Sequence, residues 1–219
     1  EKFPEYMRFR KLVLNAFRNY HIPVIALGKS TSKEAVCLVF EKVNTGGVTL
    51  SIFELVTASF AAENYNLRDD WYGSKKRKTK GRKRKIKEEA ILESVEPSDF
   101  LQSISLLNTY AMRQKDFENG KTGKAASAVS AKRVSILALT LGDYLKWADK
   151  AENGFMLAAK FLRKECFYGT RDLPYRTQLV PLATVLSILQ ERWLEPIIYD
   201  KLSRWKLELL MIWKSFLIT

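Results

Sequence analysis

The residues best suited to phosphate chemistry lie between two helical patterns: Asn44, Thr45, Gly46 and Gly47. Two adjacent glycines permit positive φ and close approach by another group. Ser51 and Glu54 have the spacing of a capping box, so a helix should begin just after the glycine pair. The free N–H groups and positive dipole end of that helix suit a phosphate. The same spacing also fits a simple turn that caps one helix and leads to the next.

A second candidate is a strongly basic segment with ten cations in thirteen residues: Lys75, Lys76, Arg77, Lys78, Lys80, Arg82, Lys83, Arg84, Lys85 and Lys87. Without them the formal net charge would fall from +13 to +3. Their mutual repulsion and the nearby glycines predict a mobile loop or a fraying helix end. Such a loop would bind phosphate backbones in a salt-sensitive, sequence-independent manner. The first nine cations are candidate DNA contacts; the alternative is a solvated insertion that improves solubility.

Other chemistries have little support in the sequence. His21 is the one histidine, and we expect it to be structural. Cys37 and Cys166 lie in apolar helical patterns, so we expect buried thiols and predict no metal site or disulfide. The G-K-T-G-K run from Gly120 to Lys124 is not a phosphate loop, because Lys115 stands where that motif needs its first glycine.

Hydrophobic periodicity predicts a mainly α, multi-helical domain with a small α/β remnant, one short strand near residues 22–27. The expected helices run from Thr31 or Ser32 to Asn44, from Ser51 to about Asn64, from Ser98 or Asp99 past Met112, and from Ser130 to Trp147. Asn153 and Gly154 are expected to close or restart that last helix. The apolar N-terminal pattern of Phe9, Leu12, Val13, Phe17 and Tyr20 is also helical.

The composition is that of a globular protein. With 219 residues and 47% hydrophobic residues, the chain can bury a substantial core in one or two domains. We see no secretory leader, and the longest apolar runs, such as Val134–Leu141, are far shorter than the roughly 20 residues of a membrane span. We therefore expect a cytoplasmic protein without membrane contact.

Two phrases of the sequence carry a family resemblance. The stretch VFEKVNTGGVTLSIFELVTASF (Val39–Phe60) resembles a phrase of the domain that opens GmrSD-type modification-dependent restriction endonucleases, and RDLPYRTQLVPLATVL (Arg171–Leu186) has the same character. That family has a nucleotide-handling core related to ParB and sulfiredoxin. Its D-G-Q-Q-R motif is absent here, and the end of the chain, RWKLELLMIWKSFLIT, also departs from the family pattern.

The resemblance implies a fragment of such a protein. We expect the end of the ParB-like core and a glycine-turn helix pair in residues 1–64, a basic flexible loop in 65–88 and a helical domain in 89–219. The full-length protein would be a component of an endonuclease that hydrolyses nucleotide and cleaves foreign modified DNA in anti-phage defence. The fragment alone would be inactive.

The resemblance also implies roles for particular residues. Asn44, Thr45, Gly46 and Gly47 would bind the nucleotide. Arg176 and Gln178, which follow Pro174 before an apolar helix, would face DNA or the nucleotide core, because guanidinium groups suit phosphate oxygens. A local Arg171–Asp172 ion pair in a solvated loop is the alternative there. NTP and Mg²⁺ would serve the full-length protein, with the metal held mainly by residues outside this chain.

The expected partners are DNA and the missing N-terminal core or a companion nuclease domain, and a homo-oligomer remains open. Two other classes of function also remain open. One is a non-enzymatic helical module that binds nucleic acid or protein. The other is a structural subunit whose apolar C-terminal stretch, Leu209–Leu217, docks on another chain.

Overall fold

A computed structural model describes residues 2–21, 50–74, 79–173 and 175–204, together with residues 24, 26, 28, 35 and 39. The chain divides into two compact units, Glu1–Ser32 and Lys33–Thr219. The boundaries expected at residues 64 and 88 therefore both fall inside the second unit. The strand expected near residues 22–27 and the helix expected from residue 31 or 32 to Asn44 lie mostly outside the described residues.

Residues 2–18 of the first unit form a helix with one irregular turn. Helix α1 (Lys2–Phe9) continues through a π-helical segment (Arg10–Leu14) into α2 (Asn15–Arg18). The predicted N-terminal helix is therefore present, although Tyr20 lies beyond its last residue. Most of its apolar side chains are exposed, including Phe3 and Phe17, while Leu14 is half-buried.

The second unit is mainly α-helical, as predicted. Its α-helices are α3 (Ile52–Ala61), α4 (Leu67–Tyr72), α5 (Arg82–Lys87), α6 (Pro97–Glu118), α7 (Arg133–Leu137), α8 (Leu141–Lys164) and α9 (Leu179–Leu189). Strands β1 (Gly73–Ser74) and β2 (Thr79–Lys80) form an antiparallel hairpin between α4 and α5. Short 3₁₀ turns span Ala90–Leu92, Gly123–Ala125, Thr170–Asp172, Arg176–Gln178 and Gln190–Leu194, and residues 196–204 are helical.

Helix α3 begins as its sequence predicts. The Glu54 N–H donates to the Ser51 hydroxyl (3.3 Å), and the Ser51 N–H donates to the Glu54 carboxylate (2.8 Å), which completes the capping box. The helix ends at Ala61, followed by a turn to Asn64, so the predicted end was three residues late. Helix α6 begins at Pro97, one residue before the predicted start, because proline suits the first turn of a helix.

The single helix predicted from Ser130 to Trp147 is wrong. The chain forms α7, breaks at Leu139 and Thr140, and starts again as α8. A second capping box causes this restart: the Asp143 N–H donates to the Thr140 hydroxyl (3.1 Å), and the Thr140 N–H donates to the Asp143 carboxylate (3.1 Å). The next predicted interruption, at Asn153 and Gly154, is also wrong, because α8 runs through both residues.

The core lies where α6, α8 and α9 meet. Phe100, Tyr144 and Phe155 are fully buried there, and the Phe100 and Phe155 rings stack with centroids 6.2 Å apart. A buried hydroxyl pair joins α6 to α9, since Ser103 and Thr184 lie 3.0 Å apart. Helix α5 packs on α8, and the strands of the hairpin pack against α4.

Pro181 lies in the first turn of α9, where its missing N–H would have no intrahelical partner. One expectation about local structure fails. Cys166 is exposed and not a buried thiol, since α8 ends at Lys164 and Cys166 takes positive φ (65°) in the following turn. Cys37 lies outside the described residues.

Candidate nucleic-acid interface

The basic segment is not one continuous loop. Lys80 lies on β2, and Arg82, Lys83, Arg84 and Lys85 lie on α5. The four cations before them, Lys75, Lys76, Arg77 and Lys78, lie between β1 and β2, outside the described residues. The flexible loop expected over residues 65–88 is therefore replaced, in its described part, by α4, the hairpin and α5. Tertiary contacts outweigh the charge repulsion that disfavours an isolated helix here.

Two glycines close the base of the hairpin. Gly73 pairs with Lys80 across the strands and has a φ of 85°, which only glycine adopts readily. A Cβ on Gly81 would lie 2.2 Å from the Gly73 nitrogen and 2.4 Å from the Trp71 carbonyl oxygen. The glycines thus allow the chain to enter and leave the hairpin at nearly the same point.

The cations of α5 divide into two groups, and Arg82 belongs to the inward-facing group. Its guanidinium contacts Asp70 on α4 at 2.7 Å, and on α8 it contacts Asp149 at 2.8 Å and Glu152 at 3.0 Å. Lys85 also pairs with Glu152. The Arg82 side chain is 16% exposed and that of Glu152 is 10% exposed, so this ion pair is partly shielded from water, whereas Asp149 is 89% exposed.

Two tyrosines complete this inner cluster. The Tyr144 hydroxyl donates to the Asp70 carboxylate, and burial together with the Asp70 charge raises the pKa of Tyr144 well above its ordinary value. Burial, followed by the Asp70 charge, raises the pKa of Tyr65 to about 12. Burial opposes the charged form of Arg82, but the hydrogen bond and charge of Asp70 outweigh it and raise the pKa of Arg82. Both tyrosines are therefore neutral and Arg82 is charged at neutral pH.

The second group consists of Lys83, Arg84 and Lys87, together with Lys80 on β2. At 100° per residue, Arg84 lies about 160° around α5 from the buried Ile86, whereas Lys83 lies only about 60° from it, and Lys83 and Lys87 are both half-buried. Lys83 lies over the Tyr72 ring, with its nitrogen 4.9 Å from the centroid. Lys80 and Arg84 are exposed and form no ion pair with any described residue. These cations are available to an external anion.

An open groove of about 480 Å³ lies beside the two groups of cations. It is lined by Asp70, Lys80, Gly81, Arg82, Arg84, Lys85, Glu88 and Glu152. Among the lining residues, Lys80 and Arg84 are exposed and form no ion pair with a described residue, whereas Arg82 and Lys85 are paired with carboxylates. The lining holds four cations and three carboxylates, so its net charge is +1.

Arg176 and Gln178 lie apart from this groove, at the 3₁₀ turn that precedes α9. The Arg176 guanidinium donates to the Ser94 carbonyl oxygen (3.3 Å) and lies 3.7 Å from Asp99 and 3.9 Å from Glu96. Burial raises the pKa of Asp99. Arg176 thus contacts the N-terminal end of α6 in this structure, while Gln178 is half-buried.

The Arg171–Asp172 ion pair is not formed among the described contacts. Asp172 accepts hydrogen bonds from the N–H groups of Tyr168 (2.8 Å) and Gly169 (2.9 Å), and these bonds lower its pKa. The carboxylate caps a 3₁₀ turn instead.

The candidate nucleotide-binding residues Asn44, Thr45, Gly46 and Gly47 lie outside the described residues, as does the apolar stretch Leu209–Leu217. Within the described part, no group of three or more His, Cys, Asp or Glu side chains is arranged to hold a metal ion. None of the described helices is long and apolar enough to cross a membrane.

Sequence reasoning missed Asp70, Tyr144, Asp149 and Glu152, the partners of the inner cations. Glu152 lies 70 positions after Arg82, so no local spacing connects the two residues. One signal was present: α5 contains a single apolar residue, Ile86, among cations, which marks the face that the helix turns to the core.

Comparisons with protein-family models, with curated proteins and with solved structures gave no match for this chain.

Proposed function

We propose that this chain belongs to a GmrSD-like modification-dependent (type IV) restriction protein and contributes to nucleotide-coupled recognition and cleavage of foreign modified DNA. Its own contribution is a DNA-contact surface formed by the basic hairpin and the outward side of α5. The observation that supports this role best is the separation of the cations: Arg82 and Lys85 are neutralised by carboxylates, while Lys80 and Arg84 remain exposed and unpaired among described residues.

Such a surface binds the phosphate backbone and does not read bases. Each cation that neutralises a phosphate releases condensed counterions, so affinity falls steeply with salt. Lysine and arginine at exposed positions of a short helix supply this kind of contact without sequence preference. Recognition of the modified base would then belong to another part of the protein.

The restriction assignment and the nucleotide site rest on the two resembling phrases, Val39–Phe60 and Arg171–Leu186. Asn44, Thr45, Gly46 and Gly47 bind the nucleotide in this proposal, and Arg176 and Gln178 are further candidate contacts to DNA. NTP and Mg²⁺ serve the full-length protein, whose catalytic core or companion nuclease domain is the second partner beside DNA.

The alternative is a non-enzymatic helical module that binds nucleic acid or protein. The pairing of Asp70 and Glu152, two carboxylates next to the basic surface, favours this alternative. Asp70 and Glu152 are held by Arg82, Lys85 and Tyr144, so neither is free to act as a general base. The described residues supply a binding surface by themselves.

The first experiment measures binding of labelled duplex DNA over a salt series. We expect the Lys80→Gln/Arg84→Gln double variant to bind more weakly and to reduce the slope of log K against log salt by about 0.9 for each phosphate that is no longer neutralised. Lys124→Gln/Lys132→Gln is the matched control, because both lysines are exposed, lie outside the basic segment and carry the same total charge. An equal reduction in affinity in the two double variants would show that only net charge matters and would contradict a defined surface.

A second experiment separates the enzyme from the binding module. The chain joined to its upstream core should hydrolyse NTP, and Asn44→Ala or Gly47→Asp should reduce that rate. A normal rate in Gly47→Asp would exclude the proposed nucleotide site. DNA binding without any hydrolysis would favour the alternative function.

A further inference from the structure

We propose that Arg82 and Lys85 are positioning residues, and that the acidic residues Asp70, Asp149 and Glu152 promote DNA binding by fixing the basic hairpin in place. The inference rests on the proposed DNA-binding function. It goes beyond that function by dividing the cations into those that contact phosphate and those that orient the contact surface.

The contacts of Arg82 join three elements that surround the hairpin. Asp70 lies on α4, just before the hairpin, while Asp149 and Glu152 lie on α8. Arg82 itself is the first residue of α5, just after the hairpin. One guanidinium therefore ties both ends of the hairpin to the longest helix of the described core.

Helix α5 needs this support. It has six residues, which is too short for a stable helix in water without tertiary contacts. Ile86 is its one fully buried side chain. Together with the Lys83–Tyr72 contact, the Arg82 ion pairs and the Lys85–Glu152 pair define how α5 is rotated on α8. That rotation decides whether Arg84 faces outward.

Electrostatic repulsion alone predicts that these carboxylates weaken DNA binding. The inner cluster holds two cations and three carboxylates, so it carries one net negative charge and repels DNA. In water, removing one negative charge about 10 Å from a phosphate should strengthen binding by up to about twofold, and less in salt. A positioning role predicts weaker binding on removal of the same charge.

The test compares two substitutions that each replace a carboxylate with an amide and so remove one negative charge near the basic surface. Asp149→Asn removes one partner of Arg82, and because the Asp149 side chain is 89% exposed the substitution leaves the core intact. Glu88→Gln is the matched control: Glu88 is exposed, lines the same groove and forms no ion pair with a described residue.

We expect Asp149→Asn to weaken duplex-DNA binding about threefold, the change that follows if the oriented hairpin falls to about a third of the population. Glu88→Gln should leave binding unchanged or up to about twofold tighter. Arg82→Lys keeps the charge but removes the planar fork, so it should weaken binding while leaving the salt slope unchanged.

The outcomes separate this inference from the function on which it rests. If Asp149→Asn binds DNA as tightly as the unaltered chain, or more tightly, the positioning role is overturned but the proposed DNA-binding function stands. This conclusion holds even if Arg82→Lys does not fold stably. A reduced salt slope in Arg82→Lys would make Arg82 a phosphate contact and would also overturn it. Absence of DNA binding by the unaltered chain at low salt would overturn the proposed function and this inference together.

Discussion

Gly154 on α8 lies directly against the carbonyl oxygen of Ala183 on α9. A Cβ at position 154 would come within 2.3 Å of that oxygen and within 2.7 Å of the Ser187 Cβ. The two helices therefore approach each other more closely than any side chain at this position would allow. Gly154 is a packing residue of the core and not a break in the helix.

Replacing Gly154 with alanine should destabilise the fold despite the better helix propensity of alanine. The added methyl group forces α8 and α9 apart, and overpacking of this kind costs about 1–3 kcal/mol. Chemical denaturation followed by circular dichroism should show a lower midpoint with an unchanged slope.

Gly142→Ala is the control in the same helix. Its nearest neighbour would be the Thr140 hydroxyl at 3.7 Å, an ordinary contact. The variant should be neutral or more stable by up to about 1 kcal/mol, because glycine is the poorer helix former. If both variants were equally stable, the close contact at Gly154 would not limit the packing.

Thr140→Ala should weaken the start of α8. The Thr140 hydroxyl accepts from the Asp143 N–H, and removal of such a cap costs about 0.5–2 kcal/mol. Thr122→Ala is the control, because Thr122 precedes a 3₁₀ turn but its side chain forms no capping hydrogen bond. Equal denaturation midpoints for the two variants would contradict the importance of the cap.

Alkaline pH should destabilise the fold through Tyr65 and Tyr144. Both have folded pKa values above the ordinary value of 10.0, that of Tyr65 being about 12. Their contribution to stability is fully present below about pH 10 and decreases as the pH rises above 10, because the unfolded chain releases its protons first; the contribution of Tyr65 is lost as the pH passes about 12. Tyrosinate absorbance should show at least two of the nine tyrosines titrating late.

Tyr144→Phe checks the assignment of this alkaline effect. It should remove one late-titrating group and reduce the drop in stability between pH 10 and 12. An unchanged alkaline titration would show that Tyr144 does not ionise late.

Gly81→Ala should open the base of the basic hairpin. Its Cβ would meet the Gly73 nitrogen at 2.2 Å, so the paired strands must separate. Hydrogen exchange at Ser74 and Lys80 should become faster, with little change in α6 or α8. Gly169→Ala, which has no neighbour within 4 Å of its added Cβ, should leave exchange in the hairpin unaltered.

The mainly α fold could be predicted because its signals are local. Ser51 and Glu54 are three residues apart and set the start of α3 by their own hydrogen bonds. Thr140 and Asp143 have the same spacing, so the start of α8 could also be predicted from the sequence. The apolar pattern continues from α7 into α8 with the same helical periodicity, and this continuity conceals the cap between them.

The inner cluster of the site could not be predicted. The charge run from Lys75 to Lys87 identifies a basic segment, but Arg82 and Arg84 look equivalent in sequence. Only the fold makes one a partner of Asp70 and Glu152 and leaves the other exposed. The packing role of Gly154 is hidden for a similar reason, since it depends on Ala183, which is distant in sequence.

The close approach of Gly73 and Gly81 makes the intervening stretch a module with a single point of attachment. Because the chain leaves and re-enters the helical core at one place, residues can be added to the tip, removed from it or exchanged without moving α4 or α5. The charge and reach of the tip are thereby uncoupled from the stability of the helices.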